Sequence, residues 1–507
     1  MNPAVFNLAS LNGKNGFNII GYTQNTGCSV NSAGDINGDG VDDIIVGAWD
    51  AAGSDYVIFG KTSAFSAHTH LSRLDGKNGF AFYGPAPTYA ACNPTDKLGD
   101  INGDGIDDII IGNYVVFGNR AGFSASMSFN SLDGQNGFAF EYGRGNAKSV
   151  GSAGYGNSRG VGDVNGDGIN DLFIGCSVVF GRKTGFNASF DLNSLNGNNG
   201  FTITSSNFGC YSVGRAGDIN GDGIDDIVIG SPHTFASGRS CVVFGSKIAF
   251  SASFHLSSLD GTNGFMIDGY IPNSKTGYSV NGGGDVNGDG INDIIIGTFY
   301  CPGLNYVVFG RKTGFDSVFQ LSSLDGHNGF LLNGSSDTNV GHSVSIGGDV
   351  NGDGIGDILI GTDPDHSYVV FGKKTGFDYS IDMDSLNGQN GFILSVKGIK
   401  KVSIGFSPVS ILGDVNGDGI DDMIVGDSDA FNLLGAAYVV FGNRSFFPST
   451  PSPSSHSASE SNHSSSNALE IGLGVGGGVL GLALLGVVGY CAHKHYHPEQ
   501  NDYEAVQ

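Results

Sequence analysis

Short apolar runs recur along this chain at a nearly constant interval. IIVG at 44–47 and IIIG at 109–112 and 294–297 are β-branched runs closed by glycine. Each is followed by an aromatic-ended run, VIFG at 57–60 and VVFG at 115–118, 178–181, 242–245, 307–310, 369–372 and 439–442. Such runs read as buried strands. A more mixed strand precedes them, as in GCSVNSAG at 27–34 and YSVNGGG at 278–284. An outer strand and turn of the form LSSLDGxNGF closes the unit at 71–80, 192–201, 256–265 and 321–330. The unit repeats roughly every 64 residues, which is too long for a solenoid turn and suits a four-stranded propeller blade with its loops.

The two ends of the array predict how it closes. The chain begins with an unattached copy of the outer element, FNLASLNGKNGF at 6–17, while the seventh unit stops at Phe441-Gly442 without one. The N-terminal strand is therefore expected to complete the last blade, removing a sheet edge. The predicted fold is all-β: one seven-bladed β-propeller over residues 1–447.

Between the first two strands of each unit stands the sequence Asp-x-Asn-Gly-Asp-Gly-x-x-Asp. Oxygen-bearing side chains occupy positions 1, 3, 5 and 9, and Gly at position 6 permits the sharp turn that lets a short segment wrap a hard cation. The predicted ligands are Asp35, Asn37, Asp39, the Val41 carbonyl and Asp43 in the first loop. The next loops supply Asp100, Asn102, Asp104, the Ile106 carbonyl and Asp108; Asp163, Asn165, Asp167, the Ile169 carbonyl and Asp171; and Asp218, Asn220, Asp222, the Ile224 carbonyl and Asp226. The last three supply Asp285, Asn287, Asp289, the Ile291 carbonyl and Asp293; Asp349, Asn351, Asp353, the Ile355 carbonyl and Asp357; and Asp414, Asn416, Asp418, the Ile420 carbonyl and Asp422. Up to seven Ca2+ ions are expected, because three carboxylates held in one short loop repel one another without a counter-charge. Position 8 varies (Asp42, Asp107, Asn170, Asp225, Asn292, Gly356, Asp421) and so reads as a position free of the metal. An EF-hand is excluded because its position-12 Glu is replaced by Val46 and Ile111, inside strands rather than helices.

These units resemble FG-GAP repeats, and seven of them with an N-terminal closing strand resemble the β-propeller of integrin α chains. The resemblance covers residues 1 to about 447. It implies calcium loops on the lower rim and an upper face that meets a β subunit and contributes to ligand capture. The chain departs from the integrin plan in having no leg domains, no inserted von Willebrand-type domain and no Gly-Phe-Phe-Lys-Arg, so a true integrin heterodimer is not expected.

Composition narrows the partners. Lys+Arg 24 against Asp+Glu 49 gives a formal charge of -25, more than half of which seven divalent ions would cancel. Nucleic acid is an unsuitable partner for so acidic a surface. After Phe447 the composition changes: 448–468 is a Ser/Pro-rich stretch read as a disordered stalk. Residues 469–492 contain IGLGVGGGVLGLALLGVVGYCA, long enough at ~1.5 Å per residue to cross a ~30 Å hydrocarbon core. GxxxG spacings there would allow helix–helix pairing. Lys494 in the tail 493–507 favours a cytoplasmic C-terminus, hence a single-pass membrane protein with an extracellular propeller, although Met1-Asn2-Pro3 leads directly into the closing strand with no visible signal peptide. The N-x-Ser sequons at Asn187, Asn333, Asn443 and Asn462 matter only on that route. Cys28, Cys92, Cys176, Cys210, Cys241 and Cys301 fit no disulfide framework and are expected as buried free thiols; Cys491 would sit at the membrane edge.

Loops of uneven length on one face of a repetitive scaffold make a binding platform. Those between the second and third strands would carry Trp49, Phe235, Phe299, Tyr300 and Phe431, with Tyr22 beside them, as an aromatic patch for a protein or glycan ligand. The expected function is a calcium-binding, membrane-anchored recognition and cell-adhesion protein, not an enzyme. The alternatives are a propeller lectin and a relative of carbohydrate- or lipid-active enzymes. No Ser/His/Asp motif or zinc spacing is visible, and His68 with His70 lack further ligands nearby.

Overall fold

The computed structural model describes residues 3–21, 24–48, 54–84, 92–141, 158–299, 303–334, 340–362, 366–396, 408–430 and 434–446. The predicted stalk, membrane helix and tail lie outside the described residues, as do Tyr22, Trp49, Tyr300, Phe431, Cys301 and Cys491. Among the described residues no helix is long and apolar enough to cross a membrane.

Seven sheets form seven blades. In blade one the strands run from Ser29–Gly34 at the centre through Asp43–Gly47 and Ser54–Ile58 to Gly79–Tyr83 outside. The second and third strands of that blade are buried along their whole length, because the neighbouring blades cover both of their faces. This explains why IIVG and VIFG read as continuous apolar runs rather than alternating ones. Each innermost strand packs against the next around the ring, including Ser29–Gly34 against Val409–Gly413, so the ring is closed.

Closure follows the predicted route. Gly16–Ile20 pairs antiparallel with Ala436–Val440, Gly16 opposite Val440, and becomes the fourth strand of blade seven. At the centre, Ser410 Oγ donates to Asn31 Oδ1 at 2.7 Å, and Asn31 Nδ2 donates to Asp96 Oδ1 at 2.7 Å, linking blades seven, one and two.

The expectation of four-stranded blades needs correction: every sheet has five strands. The fifth is a three-residue segment borrowed from the outer connection of the next blade and added in parallel. Ser126–Ser128 joins Gly79–Tyr83, and Val5–Asn7 joins Gly391–Ser395 of blade six. Three residues are too few to show a period, and most of them are exposed. A 3-10 turn such as Leu71–Arg73 follows, and the outer strand begins only at the motif's final Gly-Phe.

That Phe is a further tie between blades. Phe17, Phe80, Phe138, Phe201, Phe265 and Phe330 are each fully buried and stacked on Phe65, Phe123, Phe186, Phe250, Phe315 and Phe377 of the following blade, with ring centroids 4.1–4.4 Å apart. Each such pair contributes ~0.5–1.5 kcal/mol beyond its buried area.

Candidate metal loops

Each acidic loop connects the innermost strand to the second strand and lies on one face of the ring. The chain turns into it through glycine. Gly34 has φ +61, and a Cβ there would overlap the carboxylate of Asp107 from blade two. Position 1 organises the turn from within, since Asp35 Oδ1 accepts from Asp39 N at 2.8 Å and Oδ2 from Gly40 N at 2.8 Å. Asn37 Oδ1 accepts from Asp39 N and Asp39 Oδ1 from Val41 N.

Position 9 does more than sequence reasoning assigned to it. All seven of these aspartates are fully buried. In blade one Asp43 Oδ2 accepts from Ile36 N at 3.1 Å and Oδ1 from Gly60 N at 2.8 Å, the latter being the glycine of VIFG. The same two bonds occur in the other six blades, for instance at Asp226 with Ile219 and Gly245 and at Asp422 with Val415 and Gly442. The backbone of the motif's second position, its ninth side chain and the VVFG glycine are therefore one hydrogen-bonded unit. Burial pushes the Asp43 carboxyl up to about 8, and the charges of Asp39 and Asp35 add to the rise. Asp357 is raised to about 8 for the same reasons.

Position 8, which the sequence presents as free, clasps neighbouring blades together. Asp107 Oδ2 accepts the backbone N–H of Asp35 in the preceding blade at 3.1 Å, Asp225 that of Asp163 at 2.9 Å, Asp421 that of Asp349 at 2.8 Å and Asp42 that of Asp414 at 3.1 Å. Asn292 does the same for Asp218 at 3.0 Å. Lys97 Nζ lies 2.9 Å from Asp107 and Arg215 2.9 Å from Asp225. The available signal was Asp or Asn in six of seven copies, with a single Gly356.

The loops offer oxygen donors only, which fits a hard divalent cation. The position-1, 5 and 9 charges act on one another at Asp43, so an added cation would relieve both its burial and their repulsion. Among the described residues, however, no three Asp, Glu, His or Cys side chains converge on one point as a metal group. The carboxylates are turned onto backbone amides. An ionised carboxylate has about four lone-pair sites, so amide bonds leave capacity for an ion.

The opposite face carries the largest departure from the sequence reading. Cys28 is bonded to Cys92, joining blades one and two, and Cys176 to Cys210, joining blades three and four. The expectation of free thiols fails at these four residues because neighbouring blades bring such segments together: the stretches leading into two adjacent innermost strands for Cys28 and Cys92, and the turn between the second and third strands of blade three with the stretch leading into the innermost strand of blade four for Cys176 and Cys210. Cys241 is the buried free thiol expected, its ionisation pushed up by burial. Of the six aromatic patch residues, two are described. Phe235 is 70% exposed at φ +55 with Arg239 over its ring, whereas Phe299 is half-buried and stacked on Tyr278 at 4.4 Å; the two rings are not in contact. The channel between the faces holds chambers of about 310 and 390 Å³ that share Asn31, Arg159, Asn281 and Ser410.

A family model described as FG-GAP repeat matches residues 211–239, which run from the innermost strand of blade four through its acidic loop to the start of the third strand. Integrin alpha-5 of Xenopus laevis is 31% identical over 225 residues, covering 42% of this chain and 20% of that protein. Integrin alpha pat-2 of Caenorhabditis elegans is 27% identical over 222 residues, covering 41% and 18%. Phosphatidylinositol-glycan-specific phospholipase D of Dictyostelium discoideum is 25% identical over 387 residues, covering 66% and 38%. The chain thus spans about a fifth of the length of these integrin relatives. The chain is a seven-bladed β-propeller with an FG-GAP repeat match in blade four, and it is similar over part of its length to integrin α chains.

Proposed function

We propose that this propeller is a calcium-stabilised recognition domain for cell adhesion, displayed outside the cell on a membrane anchor, with its partner on the face opposite the acidic loops. The observation that carries the reading is the sevenfold identity of the loops. Each places the same oxygen donors at the same positions and is tied by hydrogen bonds to its own blade and, at most junctions, to the next, so an ion in one loop would stiffen a junction between blades. Two disulfides between blades support an oxidising compartment. The loop aspartates are engaged by backbone amides, which supports a binding role over catalysis.

The phospholipase alignment favours one alternative, a domain accompanying a lipid-active enzyme. Calcium added to the full chain at about 100 times its dissociation constant is expected to stabilise it by ~2.7 kcal/mol per filled loop, and EDTA to reverse this. An unchanged melting temperature would remove the calcium reading. Protease treatment of intact cells that spares the propeller would remove the extracellular one. A glycan array and a cell-surface protein screen then separate the two partner classes.

A further inference from the structure

Six of the seven acidic loops lie beneath a basic side chain from the following blade. Loop position 4 is glycine throughout. A Cβ on Gly38 would stand 2.5 Å from Cγ of Arg120, and one on Gly103 2.5 Å from Cγ of Lys183. Lys247, Lys312, Lys374 and Arg444 cover Gly166, Gly221, Gly288 and Gly352 in the same way, at 2.5–2.8 Å. These stems lie flat on the loops, and among the described residues their charged heads make no ion pair with a loop carboxylate. Arg120 Nη2 instead donates to the Gly105 carbonyl at 3.3 Å, so its charge stands between the loops of blades one and two.

The seventh place differs. Over Gly417 lies Thr62, whose Cγ2 takes the position held elsewhere by a basic stem. Lys61, next in sequence, does not substitute for the missing charge, because its ammonium stands over the Phe65 ring at 4.7 Å, as Lys373 stands over Phe377 at 5.0 Å.

Resting on the calcium reading above, we propose that these overlying residues set calcium affinity loop by loop, and that the loop at 414–422 takes up its ion ahead of the other six. A fixed positive charge lying over the loop, screened by solvent and salt, lowers the affinity for a divalent ion roughly three- to tenfold. The loop relieved of that charge is at the closure seam. Its Asp414 N–H is held by Asp42 of blade one at 3.1 Å, and Lys61 N donates to the Val415 carbonyl at 3.0 Å. The first ion bound would therefore secure the junction between the first and last repeats, and later ions the remaining junctions.

The test is calorimetric titration of the full chain with calcium alone, for the wild type, Thr62→Lys, Thr62→Val and Lys183→Met. One site is expected to be tighter than the rest by roughly three- to tenfold. Thr62→Lys should abolish it, Thr62→Val should keep it, and Lys183→Met should create a second tight site in the loop at 100–108. Seven equivalent sites, or a tight site that survives Thr62→Lys, would overturn the proposal while leaving calcium binding in place. Absence of binding to every loop would instead overturn the calcium reading beneath it. Should Thr62→Lys fail to fold, an isotherm for Lys183→Met identical to the wild type overturns the proposal alone.

Discussion

Replacing Asp107 by Ala should loosen the junction between blades one and two, and replacing it by Asn should not. The Asp107 carboxylate accepts the N–H of Asp35 across the junction at 3.1 Å and lies 2.9 Å from Lys97 Nζ. A hydrogen bond to a charged acceptor contributes ~1.5–3 kcal/mol. The Lys97 pair adds at most ~1 kcal/mol, because the two side chains are 40% and 25% exposed and solvent screens them. Asp107→Ala removes both interactions and leaves the Asp35 amide without its acceptor, for a cost of ~2–3 kcal/mol. Asp107→Asn keeps an acceptor oxygen in the same place and loses only the charge, for a smaller cost of ~1 kcal/mol. Nature has made that replacement at Asn292, which accepts the Asp218 N–H at 3.0 Å. Urea unfolding gives the stability difference, and amide exchange at Asp35 reads the junction itself. A loss of ~2 kcal/mol would lower protection of that amide more than tenfold where exchange proceeds through this opening. Equal losses for Ala and Asn, or protection at Asp35 unchanged in the Ala variant, would refute the clasp.

Other consequences can be checked separately. His342 is buried against Tyr278 and Phe299, and burial pushes its pKa down from 6.5 to about 4, so the folded state favours the neutral ring. Its contribution is full above pH 6.5 and is lost as the pH falls toward 4, by about 3 kcal/mol in all; His342→Phe should flatten that segment of the stability–pH curve, and an unchanged acid limb would count against the assignment. The Cys28–Cys92 bridge closes a 64-residue separation, so Cys28→Ser with Cys92→Ser is expected to lower stability by ~2–4 kcal/mol under oxidising conditions and to have no effect in reductant. Equal melting temperatures for the wild type and the double variant in oxidising buffer would show that the bridge does not form.

Much of the architecture was legible because it is written seven times. The blade count, the strand that closes blade seven, the place of the acidic loops between the first two strands and the near-absent hairpin loops of blades two and three all follow from local patterns. In blade two, for example, Ile111 is separated from Tyr114 by two residues only. Repetition allowed each strand to be recognised from its copies, and the spare outer element at residues 6–17 matched the one missing from the seventh unit.

What stayed hidden concerns contacts made between repeats. The seven positions at which position 9 binds two backbone amides cannot be read from the motif, because one donor follows the third strand, 17 residues later in blade one. Position 8 acts on an amide in the neighbouring blade, 72 residues away for Asp107, so variation between Asp and Asn masked a shared role. The disulfides were missed for the same reason: Cys28 and Cys92 stand in the segments leading into adjacent innermost strands, Cys176 and Cys210 at unlike places in consecutive repeats, and only the packing of neighbouring blades brings each pair together. The amino-acid sequence alone determined the blades and the chemistry of the loops, since strand period and turn residues act over a few positions. Tertiary structure decided how the blades are fastened to one another, since those bonds join residues that come close only when neighbouring blades pack together.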